Sequence, residues 1–433
     1  MKRDLLKQMG NQWRDNFWLT LELLIVAAVI GIVSMTIVRE LEVYTRPMGT
    51  GSTEGIFVIN VDEIAKQAPD YVDYGEDQQK VVELVARDKG RMLAAIRESK
   101  NVETVGLSQN GVPYQLNNSG GRFELLEPSG IARVDTTPYY TNMRYITPNL
   151  VKVLGIEPIG GYTQADIEKA LSNEQIVVSD FRKLPEEMVK HFAGKKMVAA
   201  GYDEDPNRTS YAFPIGGLVR NMRRMAYEEP LQATMLVGLK DGDPNTVAFV
   251  REWVVKVKPG QEEAFLREFS ENAEMRRAGN FVTRQPVSLD SMKKAVHTES
   301  ANNQNLLITA MVFLLLIVFL GLLGSFWYRI SQREGEIAIR QVTGATKGDI
   351  LRRIFAEGMI LLLIAWIPAT VIDYVMMEKV FEWSDYSRIS RLGGVAIASA
   401  FTLLSMTVII LLGLWFPARK AMRVEPVEAL KDE

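Results

Sequence analysis

Arg333, Glu336, Arg340, Lys347, Asp349 and Arg352 crowd into one short stretch, YRISQREGEIAIRQVTGATKGDILRRIF at residues 328–355, and no other residues of the chain are better placed to do chemistry. That chemistry is ion pairing against another protein, because the sequence offers little that breaks bonds. The histidines are His191 and His297, far apart, and neither a His-Glu-x-x-His nor a Gly-x-Ser-x-Gly run occurs. Cysteine is absent, which removes disulfides, thiolate metal sites and cysteine nucleophiles. No GxxxxGK[ST] phosphate loop occurs either; Gly194-Lys195-Lys196 lacks the earlier glycine and the hydroxyl residue. No motif pairs the many Asp and Glu residues for carboxylate chemistry. The reading is of a chain that is not itself an enzyme, with no catalytic, cofactor-binding or metal-binding residues to name.

The elements that hold this stretch are apolar runs. The chain has 433 residues, 47% hydrophobic and 24% charged, with a formal net charge of -3, a balance that excludes a highly basic nucleic-acid binder and a disordered chain. Four runs, about 17–38, 306–327, 358–375 and 393–415, reach the roughly 20 residues that cross a bilayer. The first is too long for a signal peptide and shows no small-x-small cleavage site before Arg39 and Glu40, so it reads as a permanent anchor. Lys and Arg near the span ends set orientation. Lys2, Arg3, Lys7 and Arg14, the 328–355 stretch, and Arg419, Lys420 and Arg423 belong on the cytoplasmic side, which puts both termini inside. Lys379, Arg388 and Arg391 make the bias imperfect.

One large segment, about 42–301, is left on the outer side, long enough for a folded domain or two. Its ends resemble each other as strand-helix-strand units. Near the start a strand at 56–61, a helix at 76–98 and a strand at 102–107 follow one another. Near the end, Trp253, Val255 and Val257 alternate with Val254, Lys256 and Lys258 as a half-buried strand, followed by a helix at 261–273 and a strand from Phe281. The predicted fold is a four-span α-helical membrane protein with a large α+β extracytoplasmic domain. In it, porter-like units at about 55–107 and 249–295 flank an inserted, mainly β subdomain at about 108–248, with residues 1–16 cytoplasmic and 302–433 forming the rest of the membrane part.

The helical pattern of the second span continues to Val342, roughly 37 residues or about 55 Å, well beyond the ~30 Å hydrocarbon core. Gly344 is a natural helix stop, and Thr346 with Asp349 three residues on has capping-box spacing for the helix of the third span. This predicts a tight helix-turn-helix with Ile337, Ile339, Val342, Ile350 and Leu351 packing, and Arg340, Lys347 and Arg352 facing outward.

The stretch 333–354 resembles the signature of the FtsX-like permease domain of ABC transporters, of the type in MacB-like proteins. Glu336, Ile337, Ile339, Arg340, Gly344, Ala345, Thr346, Asp349 and Ile350 match its Glu-Ile-x-Ile-Arg, Gly-Ala-(Ser/Thr), Asp-Ile pattern. The tail PARKAMRVEPVEALKDE matches the family's C-terminal pattern, including Pro417, Arg419, Pro426 and Glu428, and YITPNLVKVLGIEPIGG with IVVSD is similar to the MacB-like periplasmic core. The resemblance implies a permease of the bacterial inner membrane whose Arg333, Glu336, Arg340, Gly344, Ala345, Thr346, Lys347, Asp349 and Arg352 contact an ABC ATPase subunit. It further implies a second permease copy or paralogue, and a periplasmic adaptor or outer-membrane channel as further partners, with membrane lipid around the spans and no nucleic acid. ATP would be used by the partner, with no cofactor bound directly.

Plainer readings stand beside these. Glu336 and Arg340 are four apart and make an ordinary exposed helix pair. Glu22 is either a polar site in the bundle or an interfacial anchor, and Asp373 reads as interfacial at the outer end of the third span. Within the family such a chain extrudes small molecules, releases lipoproteins or controls cell-wall hydrolases; a membrane sensor is the rival outside it. Few polar residues inside the spans favour mechanical work on the outer domain over an aqueous channel.

Overall fold

The computed structural model describes residues 13–51, 53–115, 119–130, 132–135, 138–180, 185–200, 212–225, 232–380 and 389–421. Two compact units emerge, Met1–Tyr44 with Ala301–Glu433, and Thr45–Ser300.

The first unit begins with α1 (Trp13–Tyr44). The second opens with β1 (Ile56–Glu63), α2 (Gln78–Arg97) and β2 (Val102–Gln109). Asp77 starts α2 by accepting hydrogen bonds from the backbone N–H groups of Gln79 and Lys80. An insertion follows: β3 (Gly120–Leu126), β4 (Tyr139–Ile146), α3 (Leu150–Val153), α4 (Gln164–Ser172), β5 (Ile176–Ser179), α5 (Pro185–Phe192), β6 (Lys196–Ala199), β7 (Phe213–Val219) and β8 (Ala233–Gly238). The unit is completed by α6 (Pro244–Phe249), β9 (Glu252–Val257), α7 (Glu262–Glu271), α8 (Ala273–Arg276), β10 (Arg277–Ala278), β11 (Phe281–Thr283) and β12 (Val287–Ser288).

The flanking strands assemble in the antiparallel order β11-β1-β9-β2, with Phe57 opposite Val255 and Leu107 opposite Trp253. This is a split strand-helix-strand arrangement in which each half supplies one inner and one outer strand. One sheet face, carrying Phe57, Ile59, Trp253 and Val255, packs on Met92, Leu93 and Ile96 of α2 and on Phe265 and Phe269 of α7. The opposite face, with Ile56, Val58 and Val254, packs on Leu150, Ile167, Leu171 and Val177 of the insertion. β9 is therefore buried on both faces, Val254 included, where alternation had predicted one wet face. The insertion supplies the second cover, and its strands close a ring: β4-β3-β6-β7-β5-β8, with β8 returning to β4 in parallel.

Lys89 lies inside this unit, 3% exposed, its Nζ donating to the Ala248 carbonyl at 2.6 Å and the Val250 carbonyl at 3.0 Å. Its ammonium thus closes the C-terminal end of α6. Burial, then the charge of Arg251, lower its pKa to about 8, with Glu63 opposing. In the unfolded chain the group titrates near 10.4, so between about 8 and about 10.4 the unfolded state holds more protons and stability rises with pH. The gain reaches about 3 kcal/mol at most, at about 1.36 kcal/mol per pKa unit. Urea denaturation followed by tryptophan fluorescence should show this rise in the wild type and a flatter profile in Lys89→Met; parallel profiles would refute it.

The remaining helices are α9 (Leu289–Ser331), α10 (Glu334–Val342), α11 (Lys347–Val380) and α12 (Arg391–Ala421). Four helical segments are long and apolar enough to cross a membrane: Phe17–Tyr44, Asn305–Tyr328, Lys347–Met377 and Leu392–Lys420. In the membrane unit α1 packs against α11 and α12, and α11 against α12. Small residues allow close approach, with Ala27 and Ala28 of α1 against Ala369 of α11. One side of α9 joins the core through Leu315, Leu322 and Phe326, while Val312, Phe313, Ile317 and Leu320 are exposed.

Asp373 of α11 is buried inside the bundle. It is 2% exposed, packed so tightly on Gly31 of α1 that a Cβ there would lie 1.8 Å from Asp373 Oδ2. Glu22 is half-buried and accepts a hydrogen bond from Ser325 Oγ of α9 at 3.2 Å.

Candidate functional site

The expected unbroken helix from the second span to Val342 does not form. Instead, α9 runs 43 residues from Leu289 and stops at Ser331, and a new helix starts at Glu334. The stop is visible in the backbone. The Arg333 N–H bonds the Ile330 carbonyl three residues back, and Arg333 takes φ -109 and ψ 13, outside the helical region.

The side chain of Arg333 supplies the reason. Its Nε donates to Glu336 Oε2 at 3.0 Å, and its Nη1 donates to Glu357 Oε2 of α11 at 2.9 Å. Glu336 accepts two further bonds from Arg340, at 3.1 and 2.7 Å. Arg333 and Glu357 are 20% and 12% exposed, so this bridge is mostly dry, while Arg340 and Glu336 are about a third exposed. Burial alone would lower the Arg333 pKa, but Glu357 and Glu336 outweigh it and hold the guanidinium more firmly charged than usual. Arg340 consequently does not face outward as predicted. It lines, with Arg333, Arg353, Glu336 and Glu357, a small cavity of about 50 Å3 floored by Phe326, Ile330, Ile337, Ile350, Leu361 and Leu414.

At the turn, Gly344 adopts φ +98, and the Ala345 N–H bonds the Arg340 carbonyl in a Schellman-type closure that a side chain at Gly344 would strain. Thr346 and Asp349 form the reciprocal capping box, with Asp349 N–H donating to Thr346 Oγ1 at 3.2 Å and Thr346 N–H donating to Asp349 Oδ2 at 3.2 Å. Lys347 and Arg352 are exposed. Ile337 and Ile350 are buried and Leu351 half-buried, whereas Ile339 is 52% and Val342 65% exposed, contrary to the packed positions expected for them. The internal ion network takes up the inward face of α10 and turns these two aliphatic side chains outward.

The start of the C-terminal motif packs beside the tip. Pro417 lies buried within α12, Arg419 sits 4.8 Å over the Trp415 ring, and Lys420 lies 4.6 Å over Trp327 at the end of the second span. Trp415 in turn stacks on Phe355 of α11. Pro426 and Glu428 lie outside the described residues. Glu357 and Arg353 were missed from sequence. A lone carboxylate at the edge of an apolar run opposite a basic loop is the signal that could have found Glu357.

Elsewhere, His191 Nε2 meets Asp135 Oδ2 at 2.9 Å beside the Tyr139 hydroxyl, and His297 lies by Tyr114. Among the described residues no group of three or more His, Asp or Glu side chains could hold a metal ion.

Residues 308–426 match the family described as FtsX-like permease C-terminal. The chain is 30% identical over 182 residues, 41% of its length, to the probable syringafactin export ATP-binding/permease protein SyfD of Pseudomonas syringae, covering 26% of that protein. It is 29% identical over 113 residues, 26% of its length, to the macrolide export ATP-binding/permease protein MacB of Chlorobaculum tepidum, covering 17% of it. With the uncharacterized ABC transporter permease YknZ of Bacillus subtilis it shares 32% identity over 123 residues, 28% of this chain and 29% of that one. The matched stretches thus span less than a third of each relative. Among solved structures, the periplasmic region of MacB from Actinobacillus actinomycetemcomitans aligns with a TM-score of 0.28 and 11% identity, over 59% of this chain and 97% of that one. The charged stretch lies within residues 308–426, which match the FtsX-like permease C-terminal family, and the relatives this chain is similar to are ABC transporter permeases such as MacB and YknZ.

Proposed function

We propose that this chain is a permease subunit that converts ATP hydrolysis by an ABC ATPase subunit into mechanical work of its Thr45–Ser300 unit, held on the outer side of a bacterial inner membrane, in the export or extrusion of a substrate. The observation that carries this reading is the tip: a short helix held by the Arg333, Glu336, Arg340 and Glu357 ion pairs, with Ile339 and Val342 on it and Lys347 and Arg352 just beyond it exposed. Two exposed β-branched side chains held by a buried ion network make a small, ordered docking surface, the kind of patch that seats in a partner. The 433 residues contain no phosphate loop, so this reading places hydrolysis outside them. Basic residues at the tip and at Arg419 and Lys420 support a cytoplasmic position for that end in this reading. A second permease copy covers the exposed side of α9 in this reading, and a periplasmic adaptor or outer-membrane channel would meet the outer unit. Lipoprotein release and hydrolase control remain the alternatives within the family.

The test is association with the ABC ATPase that copurifies with the wild-type chain. Ile339→Asp and Val342→Asp should each weaken it by about 30-fold, the scale of an interface hot spot, and abolish permease-stimulated ATP hydrolysis while the chain stays folded. Undiminished association and stimulation in the double variant would refute the assignment.

A further inference from the structure

The cavity at the tip of the membrane unit holds more positive than negative charge. Among its described lining residues, Arg333, Arg340 and Arg353 stand against Glu336 and Glu357, which leaves one positive charge over. Arg333 is only 20% exposed, and unbalanced charge in a partly dry site is costly until an anion enters it. Donors for that anion are at hand, because a guanidinium has more N–H groups than these ion pairs use. Arg333 spends Nε on Glu336 and Nη1 on Glu357, and Arg340 spends Nε and Nη2 on Glu336. Nη2 of Arg333 and Nη1 of Arg340 carry no hydrogen bond among the described residues.

The level of the cavity decides which anion. Phe326 and Leu414 on its floor adjoin Trp327 and Trp415 in sequence. Trp327 stacks on Phe416 with ring centroids 5.5 Å apart, Trp415 stacks on Phe355, and Arg419 and Lys420 sit over the two indoles. Tryptophans at the end of membrane spans mark the level of lipid headgroups, and three of the candidate spans end or begin beside these rings, at Tyr328, Lys347 and Lys420. Size narrows the choice further. A cavity of about 50 Å3 has room for about four water-sized atoms at roughly 10–15 Å3 each. That suits the oxygens of one phosphate and excludes a drug-sized molecule, which takes roughly 300–1,000 Å3. A phosphodiester, with its single negative charge, also balances the single surplus positive one.

We propose that this cavity binds the phosphodiester headgroup of an anionic phospholipid, gripped by Arg333 and Arg340 while the acyl chains stay in the bilayer. Guanidinium forks hold phosphate oxygens in pairs, and basic pockets between membrane helices take anionic headgroups. The apolar floor of Ile337, Leu361 and Leu414 lowers the local dielectric, which strengthens each of those bonds. A lipid held there ties α10 to the membrane surface as well as to α11. The site rests on the membrane-spanning reading of these helices and is independent of ATPase docking at Ile339 and Val342.

The test is native mass spectrometry of the full chain released from nanodiscs of phosphatidylcholine mixed with phosphatidylglycerol. The wild type should retain phosphatidylglycerol and release phosphatidylcholine. Arg340→Gln should lower that retention about tenfold, the scale of one lost charge-assisted hydrogen bond. Arg340→Lys keeps the charge beside Glu336 but not the fork; it should also weaken retention, and it serves if the first variant does not fold. Ile339→Asp, which breaks only the proposed ATPase contact, should retain lipid as the wild type does, and so should Lys347→Gln with Arg352→Gln, which removes exposed charge outside the cavity. Equal loss in the Lys347 and Arg352 variant would mean general attraction to a basic surface, and displacement by inorganic phosphate would mean a free-anion site. Either result, equal retention of phosphatidylcholine, or full retention by the folded Arg340 variants would overturn the proposal.

Discussion

Arg333→Met is expected to lower the stability of the membrane unit by about 3 kcal/mol and to detach α10 from α11. Removing one partner of a buried ion pair costs roughly 3–5 kcal/mol, because the remaining charge is left without compensation. Arg333 is 20% exposed, which places it at the lower end. Glu336 keeps its bonds to Arg340, so the loss falls on Glu357. Arg333→Lys should recover only part, since an ammonium cannot span both carboxylates as the guanidinium fork does. Replacing both ends, Arg333→Met with Glu357→Leu, should restore most of the melting temperature, because apolar residues often substitute a buried pair at little cost. Docking of the ATPase should stay impaired in that double variant if α10 needs its fixed angle. Melting of the chain in nanodiscs measures the first effect and copurification the second; an Arg333→Met chain that melts like wild type would show that the bridge carries nothing.

Gly31→Ala is expected to loosen α1 from α11. The added Cβ would meet Asp373 Oδ2 at 1.8 Å, and Asp373, 2% exposed, has little room to swing aside. Overpacking of this kind costs about 1–3 kcal/mol, and on the order of 5 °C in melting temperature for a unit of this size. The diagnostic is the cycle with Asp373→Ala. Removing the carboxylate opens space for the new methyl, so the double variant should melt higher than the sum of the single losses allows. Additive losses would mean that the two positions do not compete for one volume.

Local chemistry was legible in the sequence, and long-range chemistry was not. The four apolar runs, the Thr346–Asp349 capping box and the Gly344 stop each depend on residues within a few positions of one another, and each forms. The break at Gln332 and Arg333 depends on Glu357, 24 residues away and in another helix, so periodicity ran through it to Val342. Val254 was assigned to a wet face because a strand reveals its neighbours along the chain, not the sheet or helix that will later cover it. The ring of six strands closes by a parallel pairing of β4 with β8, which leaves no mark in either segment. Asp373 is the same case in the membrane unit, since only the notch at Gly31 makes room for it.

The broken second helix changes where a force applied to the tip would go. Had α9 continued to Val342, the tip would have been the end of a rod, and a push on it would have travelled along the second span. As built, α10 meets α9 at a two-residue elbow and is riveted through Arg333 to Glu357 of the third span. The tip behaves as a bracket mounted on α11. Load entering at Ile339 or Val342 passes first into the third span and from there into α1, against which α11 packs. The second span is left as a lightly braced strut, with far less of its apolar stretch buried than in the other three.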